Sequence, residues 1–429
     1  MILDHIDAIA TRSRHHVYLF NSTLNPQGHA LDLDEFDVVV IHYSLYSFLG
    51  EQELGAGLRR KIRAFRGLKI QFIQDDYRWV NATTEAMRFM GIDVLFTLVP
   101  ESEHGKIWSN RLPGVQLITY LAGYIPDRLV GRVVSPLADR PIDVGYRSRP
   151  APFWLGAMGH NKVRIGQGFS QHAAPYGLRC DISWKEQDRL YGIAWDRFNE
   201  SCRAMLGCGS GASIADFDGS CERAVKRYQQ ARPDAPFAEV AASVLRPYEG
   251  SIDLDVISPR HFEAIAARTS LVLFPGPYSG ILRPWEHYIP LERDFSNMPQ
   301  VVARLRDVPQ LEAMTAKAYD DVIGSGRHSY AAFVRFFDEV VDRNRKRDHH
   351  ARPTKTSYQR ASRNLLRRLR LKCVQAMIYP LDLNQPLRFA WWRDNQRQIM
   401  TLPCLPLQRA GSRVLRGIRW FYRLASRAA

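Results

Sequence analysis

Short apolar runs alternate with amphipathic stretches through the first 125 residues. Runs at 16–20, 36–42, 68–73, 92–99 and 115–121 are rich in Val, Ile and Phe and have the length of strands. Between them, 52–65, 81–90 and 103–110 repeat apolar positions at helical spacing. Strands alternating with helices imply right-handed crossovers, hence a parallel sheet with helices on both faces. The first 130 residues therefore read as one Rossmann-like domain. After a linker at 126–140 the alternation resumes at 142–146, with a helix over 162–172, a helix at 195–201 and a strand at 202–207. Pro259 opens another helix, the apolar run 270–274 follows as a buried strand, and Pro275-Gly276-Pro277 breaks it. From Met298 the pattern is helical, over 298–306, 310–323 and 329–344. Residues 140–347 thus read as a second Rossmann-like domain, and the fold class is α/β.

The pattern changes again beyond 348. The formal net charge is +15, and all of that excess lies in residues 350–429, so the preceding body is neutral. Over 409–427, Arg409, Arg413, Arg416, Arg423 and Arg427 share one helical face, with Val414, Ile418, Phe421 and Ala425 opposite. Such a helix suits an anionic membrane surface, where each basic residue contributes about 1 kcal/mol. The same stretch also reads as a disordered basic tail or one that folds on an acidic partner. The apolar face and interfacial aromatics exceed what nucleic acid needs, so no nucleic acid is expected. Six cysteines show neither C-x-x-C nor His/Cys ligand spacing, which argues against a zinc site and a disulfide framework. No signal-peptide pattern or 18-residue apolar run occurs, so the expected place is the cytoplasm, at the inner face of the membrane.

In parallel sheets ligands bind beyond the carboxyl ends of the strands, so polar residues just after apolar runs are the candidates. In the first domain these are His42, and then Asp75 and Asp76. Each reads as a general base on an acceptor hydroxyl, or as a packed histidine and helix caps. In the second domain the turn Gly209, Ser210 and Gly211 lets backbone approach a nucleotide closely. Ser279, Gly280, Ile281 and Leu282 read as amides at a helix entrance, where a phosphate fits. Asp-x-Asp occurs at Asp32/Asp34, Asp216/Asp218 and Asp253/Asp255, a pattern too short and too frequent here to mark a metal. No dinucleotide fingerprint occurs in the first domain, so no nicotinamide cofactor is expected.

The strings LGCGSGASIADFDG, SPRHFE, YSGIL, HYIPL and DFSN resemble a group of GT-B fold glycosyltransferase-like proteins of bacterial polysaccharide clusters. The resemblance covers residues 140–345 well and the first domain loosely. It implies an acidic pair, Asp255 and Glu263, at the ribose and donor sugar, with Asp255 standing where the group usually has glutamate. It implies Arg147, Arg149 and Lys162 at the donor diphosphate, no metal, and no cofactor beyond a nucleotide-sugar co-substrate. The Trp285 to Tyr288 cluster would border the donor pocket, and the helix at 330–341 would cross back to the first domain. The expected function is sugar transfer to a glycan or lipid-linked acceptor in cell-surface polysaccharide synthesis. Two other readings stay open: a non-catalytic partner tethering a polysaccharide assembly to the membrane, and a nucleic-acid binder acting through the tail.

Overall fold

The computed structural model describes residues 2–346, apart from 24, 30 and 46–52, together with 349. The amphipathic tail expected at 348–429, including 409–427, lies outside these residues except for His349.

The first half contains α1 (Ile2–Arg12), β1 (Val38–Ile41), α2 (Ala56–Ala64), β2 (Leu68–Phe72), α3 (Val80–Met90), β3 (Val94–Thr97) and β4 (Gln116–Thr119). Its four strands are all parallel, in the order β1-β2-β3-β4. Because every crossover steps the same way, right-handedness puts α2 and α3 on one face. Lys69 on β2 meets that face, donating to Met90 O at 3.3 Å. The other face is covered from the two ends of the fold: Phe72 on β2 packs against His5 of α1 and against Phe333 and Phe337 of the last helix. The apolar run at 16–20 forms no strand; Leu19 and Phe20 are exposed, and with no apolar face to cover they gain nothing from the sheet.

The second half contains β5 (Ile142–Arg147), α4 (Gly156–Ala173), β6 (Cys180–Ser183), α5 (Gly192–Ser201), β7 (Cys202–Gly207) and β8 (Ser210–Ala212). It continues with α6 (Ser220–Ala231), α7 (Phe237–Val240), β9 (Leu254–Val256), α8 (Pro259–Ala266), β10 (Ser270–Leu273) and β11 (Ile289–Pro290). The helices α9 (Met298–Arg306), α10 (Val308–Ala318) and α11 (Tyr330–Asn344) complete it. Five parallel strands run in the order β11-β10-β7-β5-β6, a doubly wound sheet with apolar cores on both faces. On β10, Val272 joins one core and Leu271 and Leu273 the other, as the two-residue period of a strand requires.

The chain thus has two Rossmann-like parallel sheets. The linker between them is anchored by Arg140, 1% exposed, which donates to Ser135 O, Cys202 O, Ala267 O and the Thr269 hydroxyl. Ser329 caps α11 by accepting from Ala332 N, and the apolar residues Tyr330, Phe333, Val334, Phe337, Val340 and Val341 recur at helical spacing on its buried face. That face returns to the first sheet, as the resemblance implied. No helix among the described residues is long and apolar enough to cross a membrane.

Candidate functional site

In the second sheet the chain goes from β5 outward to β6, then crosses back to β7 on the other side of β5. Beyond the carboxyl ends of β5 and β7 lies the crevice that doubly wound sheets use for ligands. The chain leaves β7 through Cys208 and Gly209 into β8, which runs antiparallel to β9 with Gly211 opposite Asp255. Asp255 therefore projects over the end of β7. A Cβ on Gly209 would fall 1.3 Å from Asp255 Oδ1, and one on Gly276, after β10, 2.9 Å from Oδ2. The glycines at 209–211 thus serve a close approach, but the approaching group is the chain's own Asp255 and, at Gly211, Leu254 O.

Asp255 is 6% exposed, and its Oδ1 has no hydrogen-bond partner. Burial pushes its carboxyl up to about 6, with Arg293 pulling the other way and Asp253 adding to the rise. Lys162, on α4, is half-buried in the same region; burial lowers its ammonium, and among charged neighbours Arg260 and Arg149 act with burial while Asp75 of the first sheet acts against it. Among the described residues, neither the Lys162 nor the Arg149 side chain forms a hydrogen bond or ion pair. A buried carboxylate oxygen without a donor and a half-buried ammonium without an anion are both costly, and both are relieved by a ligand carrying hydroxyls and negative charge; Arg149 is exposed and adds charge without such a cost.

Arg147 is not part of this group. It is ion-paired to Asp181 at 2.8 Å and its guanidinium lies over Phe198, because the alternation of β5 points it into the α5 side. Arg260, not singled out in the sequence, stands at the end of β5 instead. It donates to Arg147 O at 2.6 Å and lies 5.1 Å over the Trp195 ring. Its position in the first turn of α8, right after Ser258-Pro259, was the available signal. Arg293, whose charge reaches Asp255, was likewise missed; it donates to Pro275 O at 3.1 Å.

The two acids of the implied pair have different surroundings. Glu263 accepts the Trp195 indole N–H at 2.7 Å and borders a small cavity with Asp4, Tyr124, Arg128 and Phe262, while burial raises its carboxyl pKa. Nor does a helix begin at 279–282. Tyr278, Ser279 and Gly280 take φ of 45°, 54° and 71°, a left-handed turn. The Gly280 and Ile281 amides bond back to Pro277 O and Tyr278 O, and Leu282 is buried in the core. Pro284 and the bridge from Pro284 to Tyr288 leave no room for helical continuation. The turn instead braces the start of α8, with Ser279 Oγ accepting from Ile257 N at 3.2 Å. The helix entrance is at α8 itself, closed by a capping box of Ser258 and His261 with Pro259 in the first turn.

In the first sheet, Asp76 is fully buried. Its carboxylate accepts from Thr97 Oγ1, Leu98 N and Trp108 Nε1, and burial outweighs these bonds to push its pKa up to about 7. It cannot reach an acceptor, so the base role expected for it is corrected to a core role. Asp75, half-buried, accepts the Tyr77 hydroxyl at 3.0 Å and lies close enough to act on Lys162. His42 is held neutral, with its pKa lowered by burial to about 4. Ser44 N donates to Nδ1 at 3.1 Å, which leaves the proton on Nε2 to donate to His5 Nδ1 at 3.1 Å.

Two of the three Asp-x-Asp copies have structural partners. Asp32 caps a short helical turn through Asp34 N, and Asp216 accepts from Cys221 N and Glu222 N at the start of α6. Glu286, His287 and Asp321 place one potential ligand atom each within 4.8 Å. Arg283 and Lys317 pair with both carboxylates there, which supplies the positive charge locally.

No protein-family model matches the sequence, and no curated protein matches it. Among solved structures, it is similar to an alpha-glucosyltransferase in complex with UDP and DNA, at 10% identity and TM-score 0.46, over 76% of this chain and 84% of that one. It is also similar to Anabaena Alr3699/HepE in complex with UDP-glucose, at 10% identity and TM-score 0.39, over 72% and 80%. A third is the pneumococcal O-GlcNAc transferase GtfA with UDP and GlcNAc, at 14% identity and TM-score 0.32, over 67% and 54%.

Proposed function

We propose that the chain is a GT-B-type glycosyltransferase, moving a sugar from a nucleotide-sugar donor to a hydroxyl of a glycan or lipid-linked acceptor in cell-surface polysaccharide synthesis. The observation that carries this reading is at the carboxyl ends of β5 and β7, where Asp255 has a buried oxygen without a hydrogen-bond partner and the Lys162 side chain, close to Arg149 and Arg260, has no anion bonded to it among the described residues. Asp255 has the acceptor oxygen that sugar hydroxyls need, and the cations suit a diphosphate. In transfer, the acceptor oxygen bonds to the anomeric carbon as the carbon–phosphate oxygen bond breaks and the nucleoside diphosphate leaves. Lys162, Arg149 and Arg260 meet the charge that develops on the diphosphate, in place of a metal. The acceptor proton passes to Asp75 in an inverting reaction, or to the departing phosphate oxygen in a retaining one. Asp75 suits the base role better than His42, whose Nδ1 lone pair already takes the Ser44 amide. Glu263, held by Trp195, would meet the nucleoside part. Residues 409–427 would keep the enzyme at an anionic inner membrane face, next to lipid-linked acceptors.

Titration of the full chain with UDP, GDP and ADP by calorimetry tests the reading. One nucleotide is expected to bind, with Kd raised about tenfold or more by Lys162→Ala. Binding of none of the three would overturn the donor site and favour the non-catalytic assembly partner.

A further inference from the structure

Between β7 and α8 the second half makes an excursion, residues 210–256, that carries β8, α6, α7 and β9. This excursion does not pack only on its own sheet. Ala215, Ile252, Leu254 and Val256 are buried in the same apolar core as Leu68, Ile70 and Phe72 of the first sheet. Its DFDG segment lies along the chain that follows β2. Asp216 N donates to Tyr77 O at 2.7 Å, Val80 N to Asp216 O at 3.2 Å, and Asn81 N to Phe217 O at 2.8 Å.

One carboxylate closes this seam. Glu222, its side chain 4% exposed, takes both the Nε and an Nη of Arg78 at 2.9 Å, the Trp79 indole N–H at 2.9 Å and the Lys226 ammonium at 2.6 Å. Burial by itself would raise its carboxyl pKa; the bonds from Arg78, Lys226 and Trp79 hold it at about 2, so it is ionised at any working pH. Trp79 sits at φ 51°, a left-handed conformation rare for a tryptophan, and Gly219 makes room for it: a Cβ there would lie 2.6 Å from the indole. The seam reaches the reaction through two short bonds. Arg78 N donates to Asp75 O at 3.1 Å, and the Tyr77 hydroxyl donates to the Asp75 carboxylate at 3.0 Å.

We propose that Glu222 is a positioning residue for transfer: by clamping Arg78 and Trp79 it fixes the turn at 75–77, and with it Asp75, opposite the donor crevice. The inference rests on the glycosyl-transfer reading above. Asp255 belongs to the same excursion, so one body carries a donor-side acid and grips the acceptor-side turn.

The test uses the full chain and its Glu222→Gln and Glu222→Asp variants. For each it compares nucleotide Kd, kcat and donor KM with the sugar nucleotide of the bound base, and deuterium exchange at Val80 and Asn81. Glu222→Gln is expected to keep Kd and KM within about twofold, to lose about tenfold or more in kcat, and to exchange faster at both amides. Glu222→Asp, which keeps the charge, should recover part of kcat. An unchanged kcat in a folded Glu222→Gln with faster exchange overturns the proposal; so does a parallel loss of affinity and kcat, which marks a merely structural fastening. If Glu222→Gln does not fold, Arg78→Lys keeps the charge but loses the forked contact and carries the same expected split. A wild-type chain that binds no nucleotide overturns the transfer reading, and the role in transfer with it; the exchange comparison still reports separately whether Glu222 holds the turn.

Discussion

Asp255 is placed where its charge works against the fold. Its folded pKa of about 6 is above the usual carboxylate value, so the native state binds a proton that the unfolded chain has released between about pH 4 and 6. Stability from this group is therefore highest below pH 4 and is lost as pH rises to 6, by about 2–3 kcal/mol. Asp255→Asn is expected to be more stable than the wild type at pH 7.5 in urea unfolding, with the difference gone at pH 4. An Asn variant less stable at pH 7.5 would mean that the carboxylate has a donor after all. Gly209 tests the same geometry from the other side, since Gly209→Ala puts a methyl into Asp255. We expect it to lower stability by about 1–3 kcal/mol and to weaken nucleotide binding, both readable on one purified variant. Asp255, Lys162 and Arg149 were implied by the resemblance alone, since no local spacing marks them as ligand-binding. The partners of Asp76 and Arg147 were not legible either, because Thr97, Trp108 and Asp181, which engage them, are distant in sequence.

Among the elements, α11 shows how a local pattern acquires a long-range role. Its periodicity and Ser329 cap make it a helix, but its buried face belongs to a sheet formed more than two hundred residues earlier. Phe333 is 2% exposed, stacks on Tyr124 at 4.4 Å and meets His5 at 4.9 Å. Phe333→Ala is expected to cost about 3–5 kcal/mol by denaturant unfolding, a large part of a typical domain's stability. A cost under about 1 kcal/mol would show that the helix is not integral to the first core. The turn at 278–280 is the opposite case. Its Gly280 suggested a phosphate-binding helix entrance, yet the amides close onto their own chain and the turn braces α8. A glycine and a nearby proline mark a change of direction without saying which backbone groups remain open. The run at 16–20 fails for a related reason: strand propensity counts only where a sheet edge and an apolar face are both available.

At the scale of the molecule, the first sheet does not own its core. Ala215 and Val256 from the excursion, and Phe337 and Val341 from α11, are buried in the same cluster as Phe72 and Phe96. A fragment ending at residue 140 therefore keeps α1 but loses the α11 and excursion side chains that complete the cover of its sheet. It is expected to lack the dispersed amide spectrum of a folded domain, whereas the full chain should unfold its two sheets together as one cooperative transition. A fragment that folds alone would show that the cover adds little.

The sequence by itself determined the α/β class and the order of most strands and helices. These follow from periodicity, caps and glycine positions, which are properties of neighbouring residues. Only the tertiary structure decided which charges are already neutralised inside the protein, that the 210–256 excursion joins the first core, and that Glu222 ties the two halves. Those outcomes depend on contacts between residues far apart in the chain, and no local pattern carries them.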